Sequence, residues 1–297
     1  MVQHYARTMV QLDMVGYTLG MGSTDVRSAQ GPSHIAKWLE LNCAWPIVWH
    51  GMFGDTTAAR QMQALGDIQD ACQSLAQVTQ QLTLSQKRWV ACGGDHSAAI
   101  GTWSGAASAI DGPLGLIWFD AHLDAHTPET SHTKNIHGMP IACLLGHGPA
   151  ELTAIQNPHP KLKPEHIHYI GVRDYEAEEM DFVRSQGVNL YPIEAVQTHG
   201  FSNVLTQVCR DLQNTTVGFG LSFDVDGLDP SDAPGVATTV DNGMRWAEVA
   251  PAINQLFSHP KLVGLEIVEY NPDLDVDGKT LAIVTELLGY YWQSYHM

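Results

Sequence analysis

The chain has 297 residues, 44% of them hydrophobic, enough for one large α/β domain with a sizeable core. Lys and Arg number 15 against 32 Asp and Glu, a formal net charge of −17. A surface that acidic repels phosphate backbones and anionic lipid, which argues against nucleic acid or membrane partners; it suits a cationic substrate, or simple solubility. The five cysteines, Cys43, Cys72, Cys92, Cys143 and Cys209, are odd in number and form no C-x-x-C pair. That pattern argues against a disulfide framework or a structural zinc site and fits a reducing compartment. With no apolar run of about 18 residues and no signal-like N-terminus, a soluble cytoplasmic protein is expected.

In chain order, apolar runs predict strands at Met9–Val15 and Pro46–Trp49, then a helix within Ala58–Leu84. Strands follow at Trp89–Cys92 and Leu116–Phe119. The proline-rich stretch His147–Pro164 reads as a surface connection rather than a domain break. Beyond it come strand His168–Ile170, helix Glu178–Ser185, strand Asn189–Tyr191 and helix Ser202–Leu212. Strand Gly218–Phe223, helix Trp246–Phe257, strand Val263–Ile267 and helix Ile283–Tyr290 complete the series. Such alternation predicts a mostly parallel sheet covered on both faces, within a single domain spanning 1–297. Ligands bind such sheets beyond the carboxyl ends of the strands.

The chemistry concentrates at those ends. DAHLDAH follows GLIWF and carries Asp120, His122 and Asp124; SFDVDGLDP follows VGFGL and carries Asp224 and Asp226; CGGDHS follows RWVAC and carries His96. Acids and imidazoles at every second position of an extended chain point to one face. Two hard divalent cations about 3.5 Å apart need roughly this set. Its four carboxylates balance the charge of two such ions, and oxygen-rich ligation with two imidazoles suits manganese better than zinc or copper.

At these three motifs the sequence resembles the ureohydrolase family, which includes arginases, agmatinases and formimidoylglutamases. The resemblance runs from about Trp89 to Pro272. It implies a three-layer α/β/α fold around an eight-stranded, mostly parallel sheet. It also implies two Mn²⁺ per subunit on His96, Asp120, His122, Asp124, Asp224 and Asp226, with Asp120 and Asp224 bridging. TPETSHTKNIHGMP resembles the arginase loop that holds the α-carboxylate and α-amine of the substrate, which places Thr133 and Asn135 at its hydroxyl and amide positions. By the same resemblance His137 transfers a proton and Glu269 in EIVEYNP pairs with the guanidinium; Asp124, besides ligating, is expected to accept a hydrogen bond from the nucleophile and orient it. Thr238 lies near the guanidinium, and Glu176 replaces an aspartate that contacts the α-amine. Three departures stand out. His126 occupies the usual Asn of DxN, Lys134 the usual Gly of SGN, and DAPGVAT is a segment shared with formimidoylglutamases.

The reading that results is a binuclear manganese hydrolase that cleaves the guanidino group of L-arginine, assembled as a homotrimer or homohexamer as family members commonly are. The alternatives are agmatinase, guanidinobutyrase and formimidoylglutamase. A zinc deacetylase needs one metal rather than two, and a metal or guanidino sensor would not need all six ligands. Other residues have plainer roles: Asp95 and Asp229 as turn acids, and Trp45, Trp49, Trp103 and Trp118 as core. His132, His147, His159, His166, His168 and His199 are expected on surfaces or loops away from the site.

Overall fold

The computed structural model of the chain describes residues 11–296. Eight parallel strands form one sheet: β1 (Leu12–Tyr17), β2 (Ile47–Phe53), β3 (Trp89–Cys92), β4 (Leu114–Phe119), β5 (Ile167–Ile170), β6 (Asn189–Tyr191), β7 (Gly218–Asp224) and β8 (Leu262–Val268). Their spatial order is β2-β1-β3-β8-β7-β4-β5-β6. Every predicted strand is present to within a few residues; Met9 and Val10 of the first lie outside the described residues.

The helices between them are α1 (Gly31–Asn42), α2 (Leu65–Leu84), α3 (Ala98–Ala109), α4 (Pro140–Leu144), α5 (Ala150–Thr153), α6 (Ala177–Gln186), α7 (Ile193–His199), α8 (Phe201–Thr215), α9 (Trp246–Leu256) and α10 (Lys279–Gln293). One face of the sheet packs on α1 and α7 to α10 through Leu39, Val196, Val208, Ile253 and Leu287; the other packs on α2 to α6 through Leu75, Ile100, Ile141, Leu152 and Val183. Period-two alternation divides β4 between the layers: Ile117 and Phe119 face the first, Leu116 and Trp118 the second. These are the three layers implied by the family resemblance.

Two expectations need correction. The helix anticipated from Ala58 begins only at Leu65, after a 3₁₀ turn at Gln61–Ala64 entered through Gln61 at φ +56°. His166 and His168 are buried rather than on the surface, because His168 lies within β5 and stacks on Tyr191. The 147–164 stretch links α4 to β5, but it contains α5 and sends Leu152, Ile155 and Leu162 into the core.

Candidate metal centre and substrate cavity

Strand order builds the site. The four central neighbours β3, β8, β7 and β4 end side by side, with Cys92 opposite Ile267, Asp224 opposite Val268 and Phe119 opposite Phe223. The residues just past those ends therefore meet: His96 after β3, Glu269 after β8, Asp224 and Asp226 at β7, and Asp120, His122 and Asp124 after β4. Adjacent strands lie about 4.8 Å apart, the scale on which carboxylates share a cation.

Strand alternation is not what aligns the ligands, contrary to the sequence argument. The chain leaves β4 at Asp120 and reaches Asp124 in the left-handed region at φ +48°. After β7 it turns at once into a 3₁₀ turn capped by Asp224, whose Oδ1 accepts the Asp226 N–H at 2.8 Å. The convergence holds because these turns fold back over the strand ends. His96 Nδ1 lies 3.2 Å from Asp120 Oδ2, 2.9 Å from Asp124 Oδ2 and 2.9 Å from Asp224 Oδ2. His122 Nδ1 lies 3.4 Å from Asp120 Oδ1 and 3.2 Å from Asp226 Oδ2. Two donor groups result, His96/Asp120/Asp224 and Asp120/His122/Asp226, with the donor atoms of each group within 4.8 Å of one another. Asp120 is shared between them; Asp224 enters only the first.

All four aspartates are buried. Burial, followed by the charges of Asp226 and Asp120, pushes Asp224 well above the ordinary carboxylate range. Asp226 is pushed up to about 6, with burial the largest cause. Burial also opposes charge on Asp120, but the contacts with His122 and His96 hold it well below its usual value. Carboxylates so crowded repel one another until a cation neutralises them. His96 Nδ1 and Asp120 Oδ2 are buried without a hydrogen-bond partner, so their lone pairs face one another across the gap a metal ion fits.

Behind the ligands is a relay that sequence reasoning missed. His96 Nε2 lies 2.9 Å from Ser222 Oγ, and that hydroxyl donates to Glu266 Oε2 at 2.6 Å. Ser222 has one proton and gives it to Glu266, so it accepts from Nε2–H. That fixes His96 in the tautomer with an Nδ1 lone pair aimed at the carboxylates. Trp103 Nε1 also donates to Glu266, at 2.9 Å, and its ring fits the sheet because Gly220 has no Cβ; one there would lie 2.0 Å from the ring. Trp118 is core as expected, yet it also stacks on the His96 ring with centroids 4.1 Å apart. The buried acid in VGLEIV was the signal that could have revealed the relay.

The centre opens into a cavity of about 230 Å³ whose lining includes Asp124, His126, Thr133, Asn135, His137, Glu176, Thr238 and Glu269, all named from the sequence. Glu269 stands at φ +64° with its N–H on the Gly94 carbonyl; its Oε1 accepts the His96 N–H at 2.8 Å and lies 3.0 Å from His137 Nδ1. Burial opposes charge on His137, but Glu269 outweighs it and raises that pKa to about 9. Asn135 Nδ2 lies 3.5 Å from His137 Nε2. His126 Nε2 lies 2.5 Å from Glu176 Oε2 and 3.6 Å from Glu179 Oε2. Lys134 sits at φ +63°, a conformation that favours glycine, and donates to the Pro128 carbonyl rather than lining the cavity. Exposed His132 does approach the site, 3.8 Å from Glu176, against expectation.

Asp174, Tyr175 and Glu179 line the same cavity and were not anticipated. Asp95 and Asp229 are turn acids as expected: Asp95 accepts from the Gly22 and Ser97 amides, Asp229 from those of Ser231 and Gly243.

A parallel α/β/α sandwich with carboxylate and imidazole donors gathered at the ends of its central strands defines a metal-binding hydrolase. The family profile described as "Arginase family" matches residues 12–292. The arginase of Bacillus caldovelox is 41% identical over 229 residues, 77% of this chain and 76% of that one. Its native structure superposes with a TM-score of 0.87 at 35% identity, covering 96% of this chain and 98% of that one. Entamoeba histolytica arginase in complex with L-ornithine gives 0.87 at 26% identity, covering 95% and 99%. The chain belongs to the arginase family.

Proposed function

We propose that this protein hydrolyses the guanidino group of L-arginine to L-ornithine and urea, with two Mn²⁺ per subunit. The observation that carries the reading is the joining of the carboxylate–imidazole centre and the Thr133–Asn135 loop in one cavity, with Glu269 and His137 in the same lining. The structural relative that binds L-ornithine adds support. The donors supplied by His96, Asp120, His122, Asp124, Asp224 and Asp226 are rich in oxygen, which favours manganese.

Two divalent cations held by these residues would lower the pKa of water and so make hydroxide available at neutral pH. Asp124 accepts a hydrogen bond from the nucleophile and orients it. Both contacts of Glu269 fall on Oε1, which leaves Oε2 for a charge-assisted contact with the guanidinium. Thr238 lies on the same wall. His137 carries its proton at neutral pH and releases it to the leaving amine as the tetrahedral intermediate collapses. Thr133, Asn135 and His126 read the α-carboxylate, and Glu176 reads the α-amine. No helix among the described residues is long and apolar enough to cross a membrane. The enzyme works as one domain in the cytoplasm, as a homotrimer or homohexamer.

The test is to load the protein with Mn²⁺ and compare arginine, agmatine, guanidinobutyrate, guanidinopropionate and formiminoglutamate as substrates. Arginine gives the highest kcat/KM. A higher value for any other compound refutes the assignment.

A further inference from the structure

Arg173 stands between β5 and α6, beside the centre. Its guanidinium donates only to main-chain carbonyls: Asp226 at 2.9 Å, Gly227 at 3.1 Å, Leu228 at 3.2 Å, Val240 at 2.8 Å, Asp241 at 3.2 Å and Gly171 at 3.3 Å. Its own N–H donates to the Ala121 carbonyl at 2.8 Å, between Asp120 and His122. One residue thus ties the β4 ligand segment, the β7 ligand turn and the 240–241 segment that follows Thr238. The bond to Ala121 is made by the main chain and anchors the residue on the β4 segment; the planar five-donor fork then holds the β7 turn and the 240–241 segment from that anchor, a geometry a lysine ammonium cannot match. Among the described residues Arg173 forms no ion pair within 4.0 Å, so its hydrogen bonds are spent on backbone geometry.

We infer that Arg173 is a positioning residue that holds the Asp226 turn against the His122 segment, and so sets the affinity of one cation position, the His122/Asp226 half, without setting the other. The inference rests on the two-cation reading above. The His96/Asp120/Asp224 half has its own support, the Ser222–Glu266 relay, which Arg173 does not touch.

The test is Mn²⁺ titration of the metal-free full-length chain and its Arg173→Lys variant, read by calorimetry and by electron paramagnetic resonance. Lysine keeps the charge, so the electrostatic field at the centre is retained and only the fork is lost. The expected result is one ion bound within about threefold of the parent affinity and the other weakened about 10–100-fold, the range for residues that orient metal ligands. The spin-coupled signal of a paired site then gives way to that of an isolated ion at low Mn²⁺. If the lysine variant does not fold, Arg173→Gln is read by the ratio of the two affinities, because loss of the charge shifts both ions together. Parent-like binding of both ions, or equal weakening of both, overturns the inference. A parent that itself takes up only one ion refutes the paired centre and this assignment with it.

Discussion

Replacing Ser222 with Ala removes one oxygen from a fully buried position in β7 and breaks two hydrogen bonds, at 2.9 Å to His96 and 2.6 Å to Glu266. Glu266 keeps Trp103, but His96 Nε2–H loses its partner in a buried site. An orphaned buried donor costs about 1–3 kcal/mol, so the metal-free protein should melt several degrees lower, at about 2 °C for each kcal/mol in a chain of this size. The second effect is on tautomer. Without Ser222 nothing holds the proton on Nε2, and a proton on Nδ1, drawn there by three carboxylates, must be displaced before that nitrogen can ligate. Mn²⁺ affinity should fall about 10–100-fold, or about 1.4–2.7 kcal/mol. Equilibrium dialysis gives the affinity and a thermal melt of metal-free protein gives the stability. If Ser222→Ala binds manganese as tightly as the parent, the relay does not fix the ligand tautomer and the argument from the single hydroxyl proton is wrong.

His137→Asn should lower kcat by about 10²–10⁴ while manganese content stays intact, as measured by steady-state kinetics beside metal analysis; an unchanged kcat removes the proton-transfer role. Converting Thr133 and Asn135 together to Ala should raise KM for arginine far more than for agmatine, and equal effects would mean the loop does not read the amino-acid head. His168 predicts a pH effect on stability. Burial lowers its pKa from 6.5 to about 4, so between those values the unfolded chain binds more protons than the folded one. Its neutral form is fully accommodated above about pH 6.5, and stability falls from there to about pH 4, by up to about 3 kcal/mol. A His168→Phe variant should flatten that part of a urea-denaturation series, whereas a slope equal to the parent's would show that His168 does not cause it.

Most strands were legible as short apolar runs; β1, β3, β4, β5 and β7 are buried on both faces, whereas the edge strands β2 and β6 are only partly covered. Their spatial order was not, since nothing local in Leu262–Val268 says that it lies between β3 and β7. Helix α3 escaped notice because Ala98–Ala106 is buried all round and shows no amphipathic stripe. The cavity residues identified by motif all reached the cavity, whereas Asp174, Tyr175 and Glu179 carry no pattern that separates them from surface residues until α6 is placed. The metal motifs pointed to the right neighbourhood through an incorrect premise: extended geometry stops at Asp120, and a left-handed Asp124 completes the convergence.

The position of β8 has a consequence for biosynthesis. Strands β3 and β7 flank it, so the two halves of the sheet stay unjoined until residues 262–268 have left the ribosome. Until then each half presents an unpaired strand edge, an opening for association with other nascent chains. A transcript truncated between Asp224 and Leu262 yields two unsealed halves and no catalyst, while a chain that includes β8 closes the seam and delivers Glu269 in the same late event.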